Sequence, residues 1–370
     1  MHVVVGLLCL AGTLVLLAEF FVVFLLPRRV KRDPRIARGL LRSLWVPWKA
    51  IGRRLPKIAS DTMLGIFGPF WLLMILGVLS VGVILCYWGM QWAASSHFGG
   101  PHPATAAHDL YFSAAAFFSA STSTAPTRGL GQVLQVAEAA TGFAVLFISI
   151  GYLPALFTAF SRREAAVSRL DPRAGSPPTA CALLERSGQR GGWPELDAYL
   201  REWEVWTAEL METHLSYPIL GYFRSQHVNQ NWLAALTTIV DACAYAIAYG
   251  PQEAIESSEL TFRIGRHALS DLAFAFRPRR MKKGEARPSR DRLTADALSH
   301  LRRRLEGSGL HVEESSESRE RLDELRGSYE PFAATISDHL ALELPDWVPG
   351  GEVSEDWLTS PREHGQTQLP

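Results

Sequence analysis

The chain has 370 residues, of which 48% are hydrophobic and 20% charged, and its 37 basic and 37 acidic side chains cancel. The balance gives no support to a nucleic-acid partner, and Cys9, Cys86, Cys181 and Cys243 are spaced for neither a disulfide framework nor a four-cysteine metal site. These averages hide a partition into an apolar first part, to residue 160, and a remainder of soluble composition.

Val3 to Leu26, Thr62 to Trp92 and Gly131 to Phe160 each exceed the roughly 20 apolar residues that cross a bilayer, and only Glu19 and Glu138 interrupt them with charge. The first run has no basic residue before it and is followed by Pro27, Arg28, Arg29, Lys31 and Arg32, which reads as a retained anchor rather than a cleaved leader. Residues 27–60 carry Arg28, Arg29, Lys31, Arg32, Arg35, Arg38, Arg42, Lys49, Arg53, Arg54 and Lys57 against the single acid Asp33. By the positive-inside tendency this loop is cytoplasmic, so the N-terminus faces out, the second span runs outward and the third returns to Arg162 and Arg163. Tyr87, Trp88 and Trp92 then fall where an outer aromatic belt belongs. Within the loop, Ile36, Leu40, Leu44, Trp48, Ile51 and Leu55 recur at steps of three or four. That spacing predicts amphipathic helices in the inner headgroup layer, interrupted at Pro47.

Between the second and third spans, His97, Gly99, Gly100, Pro101, His102 and Pro103 predict an irregular outer loop. Asp109 to Phe118 follows, opening on a helix-capping acid and too short to span, and then the polar run Ser119 to Thr124. A short helix that dips into the membrane and a polar loop behind it require protein cover or a water-lined cavity.

Asp109-Leu-Tyr-Phe-Ser, Phe117-Phe118, the polar loop, Pro126, Gln132 to Glu138 and Thr141-Gly-Phe143 together resemble the pore unit of two-transmembrane-type bacterial potassium channels. The likeness covers residues 62–164. It implies an outer helix at Thr62 to Trp92, a pore helix at Asp109 to Phe118 and an inner helix at Gly131 to Phe160. It further implies a homotetramer, or assembly with an intact channel subunit, passing monovalent cations such as potassium across the plasma (inner) membrane of a bacterium. Ser119, Ala120, Ser121, Thr122, Ser123 and Thr124 occupy the filter-equivalent positions, Glu138 supports the filter from behind, and Gly142 stands for the gating hinge; read as residues of the inner helix, Gly142 and Gly151 permit either a hinge or close helix approach. The family's filter is a threonine, an apolar residue, then glycine-tyrosine-glycine. Here no glycine occurs between Gly100 and Gly129, and the trio falls on Ser121, Thr122 and Ser123 or one residue earlier. Serine at a positive-φ position costs about 1–2 kcal/mol, so the carbonyl stack that replaces potassium's hydration shell is weakened and selectivity with it. A non-conducting sensor, scaffold or regulatory subunit is the alternative.

The remainder predicts helices: one opened by Pro194 with Leu196, Leu200, Trp203 and Leu210 on one face, a buried one over Asn231 to Tyr249, another over Glu253 to Phe276, and two more around Leu293 to Leu305 and Ser318 to Leu344. His214, His227 and Asp241 are metal or acid-base residue types, but their spacing matches no ligand signature, and no cofactor or enzymatic activity is expected. The expected fold class is an all-α membrane protein with three transmembrane helices, a re-entrant pore helix between the second and third, and an α-helical cytoplasmic C-terminal domain. The expected organisation is an anchor at 1–26, a basic cytoplasmic or interfacial linker at 27–61, a pore domain at 62–160, a helical cytoplasmic domain at 161–276, a basic linker at 277–290, C-terminal helices at 291–344 and a disordered tail at 345–370. The lipid bilayer is a partner throughout.

Overall fold

A computed structural model describes residues 2–26, 36–94, 105–120, 126, 129–225, 229–276, 290–310, 312 and 315–350. Among them every regular element is a helix, and the chain divides into two compact units, Met1–Thr158 and Ala159–Pro370.

The first unit holds α1 (His2–Phe24), α2 (Ile36–Gly52), α3 (Lys57–Ala93), α4 (Ala106–Phe117) and most of α5 (Gly129–Ala174). α1 and α3 run antiparallel at close range: Gly6 lies against Ala93, Gly12 against Cys86, and Gly82 against Leu16. A Cβ at Gly89 would collide with Cys9 Sγ, so the small residues set the helix separation. At the end of the pair formed by the start of α1 and the end of α3, the His2 ring stacks on Trp92 at 4.4 Å.

α2 departs from expectation in one way: it continues through Pro47 without a break. The face it buries carries Ala37, Trp45 and Gly52, while Ile36 and Ile51 of the apolar stripe are exposed. Trp45 and Trp48 pack on Phe67, and the Trp48 Nε1–H donates to the Met63 carbonyl at 2.9 Å. The other end of α2 is pinned by Glu19, whose Oε1 accepts from the backbone N–H of Ala37 at 2.8 Å. The carboxylate thereby meets one of the unpaired donors of the helix N-terminus, where negative charge is favoured.

The second unit takes the end of α5 together with α6 (Ala180–Gly191), α7 (Trp193–Ser216), a 3-10 helix (Pro218–Tyr222), α8 (Trp232–Tyr249), α9 (Gln252–Phe276), α10 (Ala295–Glu306) and α11 (Ser316–Leu340). Thr179, Asn231, Thr294 and Ser315 cap α6, α8, α10 and α11, each accepting from the N–H three residues on. α8 is the core: Trp232, Leu233, Leu236, Ile239, Val240 and Tyr245 are fully buried, and Gly265 lets α9 close on Val240. Asp241 on α8 is gripped by Arg292 through two hydrogen bonds of 2.6 and 2.9 Å, and Tyr329 and Glu330 of α11 complete the cluster. α11 stops at Leu340, where Ala341 turns left-handed (φ 53°) and Arg224 Nη2 donates to the carbonyls of Leu340 and Ala341.

The expected disordered tail needs correction at its start. Trp347 is fully buried, its N–H bonds to the Arg292 carbonyl at 3.3 Å, and its own carbonyl accepts from Cys181 N at 2.9 Å. A long-range backbone pairing of this kind leaves no periodic trace in the sequence. Residues 351–370, and 277–289 of the basic linker, lie outside the described residues. Arg290, at the end of that linker, pairs with Asp346.

Among the described residues four helices are long and apolar enough to cross a membrane: α1, α3 and α5, with mean hydropathies of 2.5, 2.4 and 2.0, and α8 at 1.4. Protein covers 94% of the α8 window, against 39% or less of the other three.

Candidate functional site

α4 begins at Thr105, whose hydroxyl accepts from His108 N at 3.2 Å, so the cap lies four residues before Asp109, the residue expected to supply it. Asp109 sits in the first turn, where its charge suits the helix dipole. Phe112, Ser113, Ala115, Ala116 and Phe117 are buried, whereas Tyr111 and Phe118 are exposed. The helix ends in a Schellman pair: Ala120 N donates to Ala115 O at 2.8 Å and Ser119 N to Ala116 O at 3.0 Å. Ser119 occupies the left-handed position (φ 54°) that glycine normally fills, a conformation that costs roughly 1–2 kcal/mol for a side chain with a Cβ. Ser119 and Ala120 therefore belong to the helix cap. Ser121, Thr122, Ser123 and Thr124 lie outside the described residues.

Behind α4, Glu138 of α5 is fully buried. Its Oε1 meets the Ser113 hydroxyl in a short hydrogen bond, and Ser113 Oγ lies 3.2 Å from the Ile84 carbonyl of α3. Among the described residues, Glu138 Oε2 has no hydrogen-bond partner. One polar chain thus joins α3, α4 and α5.

Two further ties hold α3 to α5. Gln91 Nε2 donates to the Gly131 carbonyl at 3.2 Å. The Thr141 hydroxyl donates to Ala137 O, so the Tyr87 hydroxyl, 3.1 Å from Thr141 Oγ1, is the donor between them. Tyr87 is 6% exposed and faces this bond rather than an outer belt; Trp92 is exposed. Gln132 Nε2 bonds the Pro126 carbonyl at 3.2 Å and fixes the end of the loop after α4.

The two expected hinge glycines have different surroundings. A Cβ at Gly142 would strike the Phe117 carbonyl, so this glycine is what lets the C-terminal end of α4 seat on α5. Nothing lies within 4 Å of such an atom at Gly151. Sequence reasoning singled out Glu138, and Gly142 as a hinge, but did not single out Ser113, Gln91 or Tyr87 for these bonds. The i, i+4 pair Tyr87 and Gln91, polar atoms on one face of an apolar span, was the available signal.

No family model, curated protein or solved structure matches this chain.

In the second unit, Arg163 near the end of α5 is buried. Its guanidinium donates to Leu220 O at 2.8 Å, to Phe223 O at 3.0 Å and to Glu164 at 2.8 Å, and its Nη1 lies 3.3 Å from His214 Nε2. Arginine only donates, so Nε2 accepts and the ring proton sits on Nδ1, which gives it to Leu210 O at 2.8 Å. Burial and then the neighbouring Arg163 charge hold His214 well below the ordinary 6.5 of an imidazole. Of the expected acid-base types, His214 is thus spent on Arg163 and Asp241 on Arg292, while His227 lies outside the described residues. Among the described residues no group of three or more His, Cys, Asp and Glu side chains is placed to hold a metal.

Proposed function

We propose that this is a channel-derived membrane protein whose first unit passes monovalent cations, potassium among them, down their gradient with weakened selectivity. In this reading α1, α3 and α5 cross the bilayer, while α8 is the core of a cytoplasmic domain because its surface is already covered by protein. The basic residues before α3 support an N-terminus on the outside. α4 enters the outer half of the membrane and leaves again.

The observation that carries the reading is the seating of α4. Its 12 residues reach about 18 Å, short of the roughly 30 Å hydrocarbon layer. Yet it is tied by Ser113 to both Ile84 and Glu138, and its last carbonyl region lies on Gly142. Non-helical backbone at such a depth is stable only against protein or water. One copy cannot enclose an axis, so a homotetramer or a joint assembly with an intact channel subunit is required. The exposed apolar side chains Phe143, Leu146, Phe147, Ile150 and Phe157 of α5, with Phe118 beyond α4, offer surface for neighbours and lipid.

Purified protein in planar bilayers under potassium, sodium and chloride gradients tests the proposal. Cation current with a small potassium preference is expected, and silence under all three gradients overturns it. A second reading, a non-conducting sensor or scaffold, is favoured by the absence of glycine between Gly100 and Gly129. Replacing Ser119–Ser123 by a threonine-valine-glycine-tyrosine-glycine filter separates the two. Potassium flux gained only by the replaced protein supports the scaffold reading of the native chain.

A further inference from the structure

α2 has three chemically distinct sides. The first, with Ala37, Trp45 and Gly52, is buried against its neighbours, and Trp48 stacks on Phe70 at 5.3 Å beside it. On the second, Arg38, Arg42 and Lys49, with Arg53 in the next turn, are spaced by multiples of a helical repeat. At about 100° per residue they fall in one narrow stripe. On the third, Ile36 and Ile51 are exposed, with Leu40 and Leu44 partly so. The same angular increment sets the basic stripe and the apolar stripe on opposite sides of the helix, with the α3-facing side between them.

The segment itself carries only one sign of charge in its sequence. From Ile36 to Ser60 the chain contains Arg38, Arg42, Lys49, Arg53, Arg54 and Lys57 and no acid. The Glu19–Ala37 bond at one end and the Trp48–Met63 bond at the other hold the helix in place, so the stripe is arranged before any ligand arrives.

We infer that the basic stripe of α2 is a docking surface for the phosphate headgroups of anionic phospholipid, in the leaflet that α3 enters. The opposed apolar stripe selects this occupant. An acidic protein or a nucleic acid would neutralise the arginines and leave Ile36 and Ile51 in water. A phospholipid layer meets both demands, with phosphate on one side of the helix and acyl chains on the other. A short turn joins α2 to α3, a candidate membrane span from Lys57 onward, which keeps the stripe at the point where the chain enters the bilayer. The inference does not depend on cation permeation.

The test uses the full chain purified in neutral detergent, with thermal unfolding followed on adding phosphatidylglycerol, phosphatidylcholine or inorganic phosphate at equal phosphate concentration. Phosphatidylglycerol is expected to raise the Tm well above phosphatidylcholine, and the excess is expected to shrink as sodium chloride is raised. Each basic residue near an anionic surface contributes about fivefold in affinity. The variant Arg38→Gln/Arg42→Gln/Lys49→Gln/Arg53→Gln should therefore need more than about tenfold more phosphatidylglycerol for the same shift. Equal shifts from both lipids, a shift insensitive to salt, or full reproduction by inorganic phosphate overturns the proposal. The salt and lipid comparisons use the unmutated protein, so they decide the matter even if the fourfold variant does not fold.

Discussion

The Ser113 hydroxyl sits between two oxygens, the Glu138 carboxyl of α5 and the Ile84 carbonyl of α3, and it has one proton to give. The chain of bonds is complete only when the residue at 138 can itself donate to Ser113, leaving the serine proton for Ile84. A glutamine amide does this at the same length. Glu138→Gln is therefore expected to leave the Tm of the detergent-purified protein unchanged or raised. Ser113→Ala strands a buried carboxyl and should cost about 1–3 kcal/mol. A Glu138→Gln protein less stable than Ser113→Ala contradicts this account of the bond.

The two glycines of α5 give opposite expectations for one substitution. Gly142→Ala drives a Cβ into the Phe117 backbone carbonyl, and since backbone yields less than a side chain, α4 must lift from α5. The loss should reach about 2–4 kcal/mol, in the range of severe overpacking. Gly151→Ala meets open space and gains up to about 1 kcal/mol of helix propensity. Thermal unfolding of the two variants side by side checks the contrast; equal effects contradict it.

What could be read in advance follows from the range of the interactions. The apolar runs behind α1, α3 and α5 are local and long, so their helices were legible to within a few residues at most ends, although α5 runs on to Ala174. α4 was legible as a helix, but Thr105 and Asp109 are both capping types and composition does not choose between them. α2 was legible as amphipathic, but which of its apolar residues pack on protein was not, because two of its three sides are apolar. Only the contact with Phe67 and Met63 tells a protein-facing Trp45 from an exposed Ile51. α6 escaped because Ala180 to Leu184 are all buried in succession, which erases the helical period. The partners of Glu138 and Asp241 were illegible for a different reason: Ser113 lies 25 residues away and Arg292 lies 51.

His214 makes stability depend on pH in a definite direction. Its imidazole is held neutral in the fold, below its ordinary 6.5, by burial and by Arg163. The unfolded chain therefore binds the extra proton first as pH falls. This contribution to stability is whole above about pH 6.5 and declines as pH drops toward the folded value, by up to about 1.4 kcal/mol per pH unit. His214→Gln can still accept from Arg163 and donate to Leu210 while binding no proton. Unfolding measured between about pH 5.5 and 7.5, about one unit on either side of 6.5, should show the wild type losing more stability toward acid than the variant. Parallel curves would remove His214 as the cause.

The Asp241–Arg292 pair supplies the sharpest energetic test in the second unit. Burial works against the Arg292 charge, and the Asp241 carboxylate outweighs it through ion pairing and two hydrogen bonds, holding the guanidinium above its ordinary range. Arg292→Met leaves Asp241 buried with only the Tyr329 hydroxyl at 2.5 Å and should cost about 3–5 kcal/mol. Arg292→Lys keeps the charge but not the two-pronged geometry, and it also loses the bond to Pro345 O that holds the segment leading to Trp347. It is expected to recover less than half of that loss. Removing both charges with Asp241→Asn/Arg292→Met spares the stranded carboxylate, so the double variant should lie about 0.5–3 kcal/mol above the sum of the single losses. Strict additivity across this cycle, measured by denaturant unfolding, would mean that the two side chains are not coupled in solution.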